Sequence, residues 1–317
     1  MNIAVLDVCA IGTDLDWSGL NAIGTAKLYD RTSPDEIADR LKGVDICILN
    51  KVRMTADVLE KCPSLRLICI AATGFDNVDT LYCGRHGIAV CNVVGYSTDN
   101  VAQLTAAMVL NLACRLPVYT AAVNSGAYSA GNSANMLSPA YREVAGMTWG
   151  IAGYGNIGKK VGTIAKALGC RVIVYKRTPI ADETCVGIDT LCRESDIISV
   201  HLPLNDGTRG LFSRERIGMM KKDCIFVNVA RGAVADEKAL ADAVTAGKIG
   251  GIGVDVYSSE PFRADHPFYS LLGRGNVILT PHMAWGSVDA RVRLLGEIIL
   301  NINAFLAGGR RCRVDRV

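Results

Sequence analysis

The stretch Thr148-Trp-Gly-Ile-Ala-Gly-Tyr-Gly-Asn-Ile-Gly158 decides the fold. Thr148–Ala152 reads as a short apolar strand, Ile157–Leu168 as a helix, and Arg171–Tyr175 as the next strand. Between strand and helix stand three glycines with distinct tasks. Gly153 lets the chain turn tightly, Gly155 lets backbone approach a pyrophosphate, and Gly158 lets the helix pack close to the sheet. Tyr154 fills the variable position, while Asn156 and Ile157 offer N–H groups at the positive end of the helix. A lone glycine pattern of this kind is a weak signal. The strand, helix and second strand around it supply the context that makes it a dinucleotide site.

Working outward, short β-branched runs alternate with helical patterns in both directions. Upstream the predicted order is strand Asn2–Val8, strand Thr25–Tyr29, helix Pro34–Lys42, strand Val44–Leu49, helix Thr55–Lys61, strand Leu67–Ala71, helix Thr80–His86 and strand Ala89–Asn92. Several strands are apolar at nearly every residue, as in Asp45-Ile-Cys-Ile-Leu49, which is expected of parallel strands covered on both faces. Asp99 is the expected cap of a long amphipathic helix reaching about Arg115, followed by a Gly/Ser/Asn-rich stretch, Asn124–Ser138. Downstream, strands are expected near Ile197–His201, Cys224–Asn228, Gly251–Val254 and Val277–Leu279.

The last helix, Ser287 to about Ala307, lies beyond a sheet that already has six strands, so its natural partner is the first domain. The fold class is therefore α/β with two doubly wound parallel-sheet domains: a flavodoxin-like substrate domain of residues 1–98 and 288–317, and a Rossmann cofactor domain, 99–287, inserted into it.

Bulk properties exclude several classes. The 317 residues suffice for two cores, and 50% hydrophobic with 21% charged residues is a globular profile. A net charge of +3, with both signs mixed throughout, offers no basic stripe for nucleic acid; only Arg310, Arg311 and Arg313 cluster. The opening MNIAVLDVCA lacks the layout of a signal peptide, and runs such as Ala106–Ala113 fall short of the ~20 residues of a membrane span. Twelve cysteines without a CxxC pair read as buried thiols of a reducing cytoplasm, and no His/Cys/Asp cluster has metal-ligand spacing.

The end of the second strand bears on the cofactor. An NAD-selective site carries an acid ~20 residues beyond the turn, on the ribose 2′-hydroxyl. Here the sequence reads Val174-Tyr175-Lys176-Arg177-Thr178. Lys176 and Arg177 would attract a 2′-phosphate and Thr178 add a hydroxyl, which favours NADP(H), with NAD(H) the alternative.

Further blocks stand in order along the chain: Ala72-Thr-Gly-Phe-Asp-Asn-Val-Asp79, Val200-His-Leu-Pro-Leu204, Phe226-Val-Asn-Val-Ala-Arg-Gly232, Gly253-Val-Asp-Val-Tyr-Ser-Ser-Glu-Pro261 and Thr280-Pro-His-Met-Ala-Trp285. With the glycine turn they make the sequence resemble the D-isomer-specific 2-hydroxyacid dehydrogenases over essentially its whole length. Asn50-Lys51 and Tyr96-Ser97-Thr98 around the first block look most like the short glycerate dehydrogenase/hydroxypyruvate reductase branch. The resemblance implies hydride transfer between NAD(P)H and a small 2-keto acid, giving a D-2-hydroxy acid.

It assigns Arg231 to clamp the substrate carboxylate and polarise the keto oxygen, His282 to act as general acid and base, and Glu260 to orient His282 and stabilise its charged form. It places His201, Leu202, Pro203, Thr208, Val229 and Ala230 along the cofactor, with Arg231 and His282. Asp255 falls near the nicotinamide carboxamide, although an aspartate at a strand end equally caps a turn. Asn50 and the backbone of Thr73, Gly74 and Phe75 are implied in substrate binding, the last three as an anion nest across a cleft from Arg231. A homodimer through the cofactor domain is also implied.

Two rival readings remain in view. One is a cofactor-sensing corepressor or scaffold of the same fold, against which the lack of long disordered extensions argues. The other is a phosphoglycerate-, phosphite- or formate-type dehydrogenase. A chain ending at Val317 leaves no room for the regulatory domain of the first, and Glu260 stands where the formate enzymes carry glutamine.

Overall fold

The computed structural model describes residues 1–178 and 180–315; the expected end of the substrate domain, 316–317, lies outside them. The chain divides into two units, Met1–Ser97 with the segment from Gly286 onward, and Thr98–Trp285.

In the first unit five parallel strands, β1 (Asn2–Val5), β2 (Thr25–Leu28), β3 (Ile46–Leu49), β4 (Leu67–Ile70) and β5 (Ala89–Cys91), lie in the order β2-β1-β3-β4-β5. That is the flavodoxin-like order, with its switch point between β1 and β3. Every residue of β3 and β4 is buried, which explains their unbroken apolar runs. The helices between them are shorter than their patterns predict, covering Ile37–Arg40, Ala56–Leu59 and Thr80–Arg85. Turns at 34–36, 41–42, 60–61 and 86 account for most of the rest.

The final helix, Val288–Leu306, is capped by the Ser287 hydroxyl, which accepts the Ala290 N–H at 3.3 Å, and it packs on β4. Buried Asn301 on this helix donates to Asn92 O at 3.0 Å and accepts from Arg311. The chain after the helix then runs antiparallel beside β5, with Val314 N–H on Val90 O at 2.8 Å. Two arginines of the basic tail are thereby spent inside this unit, Arg311 on Glu297 and Arg313 on Asp315.

The second unit holds six parallel strands: β6 (Thr148–Ala152), β7 (Arg171–Tyr175), β8 (Ile197–Val200), β9 (Ile225–Asn228), β10 (Gly251–Val254) and β11 (Val277–Leu279), ordered β11-β10-β9-β8-β6-β7. Outside β7 a single parallel bridge joins Val174 to Cys185. Counting that one-residue strand gives the doubly wound order 3-2-1-4-5-6 with β11 added as a seventh strand at the far edge, and the switch point lies between β6 and β8.

Three expectations need correcting. The long helix spans Thr98–Ala113, so Asp99 lies in its first turn and not at its cap; there it pairs with Lys160 at 2.9 Å. Two helices without an expectation in the sequence follow it, Leu116–Asn124 and Ala127–Ala130, and neither has a buried residue. Of the unpaired cysteines, eight are buried, but Cys114, Cys185 and Cys312 are half-buried and Cys9 is exposed. Burial pushes the Cys83 and Cys192 thiols up to about 12 and Cys91 to about 11, which keeps them protonated. Among the described residues no single helix is long and apolar enough to cross a membrane.

Candidate active site

The glycine turn after β6 shows why two of its positions admit no side chain. Gly153 has φ +95°, and a Cβ there would stand 2.7 Å from the His201 carbonyl. A Cβ on Gly158 would stand 2.1 Å from Gly153 O, so the helix Asn156–Ala167 sits directly on the turn. Gly155 is different: its Cβ would meet nothing within 4 Å. The open side of the turn is thus the side from which a phosphate reaches backbone N–H groups, and Asn156 and Ile157 begin the helix there. The Tyr154 hydroxyl is committed to Glu183 Oε1 at 2.6 Å, an oxygen shared with Lys166 Nζ at 2.6 Å. Its phenol is pushed above its usual range, chiefly by burial.

At the end of β7, Lys176 is half-buried, while Arg177 and Thr178 are exposed. Among the described residues neither cation has a carboxylate partner. Glu183, in the loop that follows, is already occupied by Tyr154 and Lys166. The surroundings of β7 therefore present uncompensated positive charge.

After β8 the His201 ring is tied to the core. Its Nε2 lies 3.1 Å from Ser199 Oγ, which accepts the Trp149 indole N–H at 2.9 Å. The serine oxygen has two lone pairs, so this contact is made either by its hydroxyl hydrogen or by a proton on Nε2, and Nδ1 takes no part in it. That Nδ1 is buried and without a partner among the described residues, and burial pushes the ring down to about 3. Leu202 is half-buried and Pro203 exposed. The Thr208 hydroxyl is taken up locally, donating to Pro203 O at 2.6 Å and accepting Asn205 N–H at 2.9 Å, which fixes this turn.

The loop after β9 is held by buried Asn228, whose side chain accepts the Ala230 N–H at 3.0 Å and donates to Arg231 O at 2.9 Å. Val229 and Ala230 are thereby fixed, and Arg231 leaves the loop in an extended conformation with one guanidinium N–H on Ala230 O at 2.8 Å. Asn228 was legible as part of a block but not as a support.

Asp255, just beyond β10, is fully buried, and it caps a turn. Its carboxylate accepts the Thr280 hydroxyl at 2.5 Å and the N–H groups of Met283 and Ala284 at 2.9 Å each. Burial pushes its carboxyl above the usual range despite these donors. Between them stands His282 at φ +53°, a region that non-glycine residues seldom adopt and that the capped turn enforces. His282 Nδ1 lies 2.7 Å from Glu260 Oε2, and Glu260 Oε1 accepts the Tyr257 N–H at 3.1 Å. The two side chains are 23% and 29% exposed, so the pair is reachable from outside.

The first unit carries its own polar loop cluster beyond β3 and β4. Asn50 is buried, its amide donating to Ala71 O at 2.6 Å. Its N–H and that of Lys51 fall on the buried Asp7 carboxylate at 2.8 and 2.6 Å. Asn50 thus ties the end of β3 to the end of β4. In the next loop Asn92 donates to Thr73 O at 2.7 Å and Thr73 Oγ1 to Val93 O at 2.8 Å. The N–H groups of Thr73, Gly74 and Phe75 meet no acceptor among the described residues. Among those residues no group of three or more His, Cys, Asp or Glu is placed to hold a metal ion.

Residues 106–284 match the family described as D-isomer specific 2-hydroxyacid dehydrogenase, NAD binding domain. A hydroxypyruvate reductase of Blautia hydrogenotrophica is 37% identical over 97% of this chain and 98% of its own. Among solved structures, an acyclic imino acid reductase in complex with NADPH and D-Arg superposes with a TM-score of 0.88 at 29% identity, over 99% of this chain and 100% of that one. A D-lactate dehydrogenase from Aquifex aeolicus, complexed with NAD and lactic acid, does so at 0.86 and 28% over the whole of both chains.

The buried His201 ring makes stability depend on pH. Its folded value near 3 lies below the ordinary value of 6.5, so between these limits the unfolded chain binds the extra proton. Stability therefore rises with pH across that window and is lost as pH falls, by at most about 1.4 kcal/mol per unit. Urea unfolding of the cofactor-free protein at pH 7 and pH 5 is expected to show a steeper loss for the wild type than for His201→Gln. Equal losses contradict the neutral buried ring.

Proposed function

The chain belongs to the D-isomer-specific 2-hydroxyacid dehydrogenases, nicotinamide-dependent oxidoreductases acting on small hydroxy and keto acids, and from that premise we propose that it reduces hydroxypyruvate or glyoxylate, preferring NADPH, through Arg231, Glu260 and His282. The observation that carries this reading is the 2.7 Å bond between His282 Nδ1 and Glu260 Oε2 at the C-terminal edge of the six-stranded sheet, where doubly wound folds bind ligands.

The turn Gly153–Gly158 is suited to hold the pyrophosphate, because Gly155 leaves its open side clear. A nicotinamide held there would supply hydride to the substrate carbonyl carbon. The remaining work belongs to side chains. The planar Arg231 guanidinium grips the substrate carboxylate and draws electron density from the keto oxygen. Glu260 holds Nδ1, which leaves Nε2 as the imidazole atom that donates a proton to the forming alkoxide and recovers it in the reverse direction. The N–H groups of Thr73, Gly74 and Phe75 form a nest suited to a carboxylate, and substrate binding is the role we propose for them.

The NADPH preference rests on Lys176 and Arg177, which follow β7 where an NAD-selective site carries an acid, and Thr178 adds a hydroxyl. We further assign the chain to a cytoplasmic homodimer. Leu137, Val123 and Tyr141 stand exposed along the segment 116–141, an apolar surface suited to a second copy. A full set of unpaired thiols suits a reducing compartment.

His282→Ala is expected to lower kcat/KM for hydroxypyruvate reduction by roughly 10²–10⁴-fold; a value near that of the wild type contradicts the assignment. In steady-state assays kcat/KM is expected to favour NADPH over NADH by roughly tenfold or more. Replacing Lys176 and Arg177 together by alanine should remove most of that ratio. A wild-type enzyme that prefers NADH overturns the cofactor assignment.

A further inference from the structure

Glu237 opens the helix Glu237–Thr245, a position where an acid normally faces solvent and complements the helix dipole. Its side chain is instead only 9% exposed and turned towards a different loop. Oε1 accepts the Ser258 N–H at 2.9 Å, while Oε2 accepts the Ser258 hydroxyl and lies 3.0 Å from His266 Nε2. His266 Nδ1 accepts the Phe268 N–H at 3.2 Å, so the ring proton sits on Nε2 and is donated to Glu237. One buried carboxylate thus gathers three donors, two of them from Ser258.

Ser258 lies between the two residues that matter for the candidate acid–base pair. Its neighbour Tyr257 gives its N–H to Glu260 Oε1 at 3.1 Å, and the other Glu260 oxygen holds His282. The Tyr257 hydroxyl donates to Thr280 O at 2.8 Å, two residues before His282. The same backbone also abuts the arginine loop: a Cβ on Gly232 would stand 2.1 Å from Tyr257 C and 2.3 Å from Ser258 N. The turn Tyr257–Glu260 is therefore wedged between the loops carrying Arg231 and His282, and Glu237 is the group that anchors it.

We infer that Glu237, backed by His266, is a positioning residue for the reaction, acting through Ser258 to keep the Glu260 carboxylate on His282 Nδ1. This rests on the assignment of Glu260 and His282 as the acid–base pair. Glu237 touches neither of them. Its role is to fix a turn whose drift by about an ångström is enough to misalign a proton transfer. Glu237→Gln keeps the shape but turns an amide N–H₂ towards one of the three donors, which breaks part of the anchor without opening a cavity.

The test is a double-mutant cycle on the full-length protein, with hydroxypyruvate and NADPH as the assay pair. Glu237→Gln is expected to lower kcat at least tenfold while the cofactor Kd, read from NADPH fluorescence, stays within about twofold. In a Glu260→Gln background the same substitution is expected to change kcat less than about twofold, since the group it positions is already gone. An equal fall in both backgrounds, or no fall in the first, overturns the inference. Full kcat in Glu260→Gln alone overturns the acid–base assignment and the inference with it, a result distinct from a silent Glu237→Gln beside an impaired Glu260→Gln. Should Glu237→Gln not fold, Ser258→Ala takes its place in the cycle. It keeps the backbone N–H and loses one donor, so a fall of about threefold is expected, absent in the Glu260→Gln background and rescued by Ser258→Thr; a fall equal in both backgrounds again overturns the role.

Discussion

Three hydrogen bonds accepted by the buried carboxylate of Asp255, from Thr280 Oγ1 and from the N–H groups of Met283 and Ala284, hold the turn on which His282 stands. Without them a histidine at φ +53° would relax into an ordinary conformation, and its ring would leave Glu260. The arrangement is costly: burial raises the Asp255 carboxyl's pKa, and the hydrogen bonds from Thr280, Ala284 and Met283 act against that rise. The same device recurs at other strand ends. Asp7 gathers the N–H groups of the Asn50 loop, Asn228 pins Ala230 and Arg231, and Asn92 pins Thr73. These loops leave rigid parallel strands and are each tied by one buried polar side chain. Such sites hold their geometry because the loop is short and its anchor lies in the core.

The cofactor side follows a different rule. Around Gly153 and Gly158 the constraint is steric, since the helix and the His201 backbone occupy the space that side chains would need. Beyond β7 it is electrostatic: Glu183 pairs with Lys166 and accepts the Tyr154 hydroxyl, and neither Lys176 nor Arg177 has a carboxylate partner among the described residues. The two known structures reported above hold NADPH and NAD respectively, so the fold alone accommodates either.

Much of this architecture was legible in the sequence because parallel strands buried on both faces must be apolar at every residue. Ile46–Leu49 and Leu67–Ile70 announce themselves in that way. The glycine turn was legible because its residues are adjacent in the chain. What escaped depends on pairings between distant positions. Nothing local in Glu237 points 21 residues ahead to Ser258, and Asp255 read as either a cofactor contact or a turn cap until Met283 and Ala284 were seen to donate to it. The helix Leu116–Asn124 was missed for the opposite reason. None of its residues is buried, so it lacks the apolar-in, polar-out periodicity by which helices are read.

The central claim is that Glu260 fixes the imidazole so that Nε2 is the atom that exchanges the proton. Nitrogen-15 NMR of labelled histidine in the intact protein reads this directly, because the two ring nitrogens differ in shift according to which carries hydrogen. In the neutral ring of His282 the account predicts a proton on Nδ1 and a bare Nε2, with that preference lost in Glu260→Gln. A neutral His282 protonated on Nε2, or a tautomer unchanged by Glu260→Gln, would contradict it.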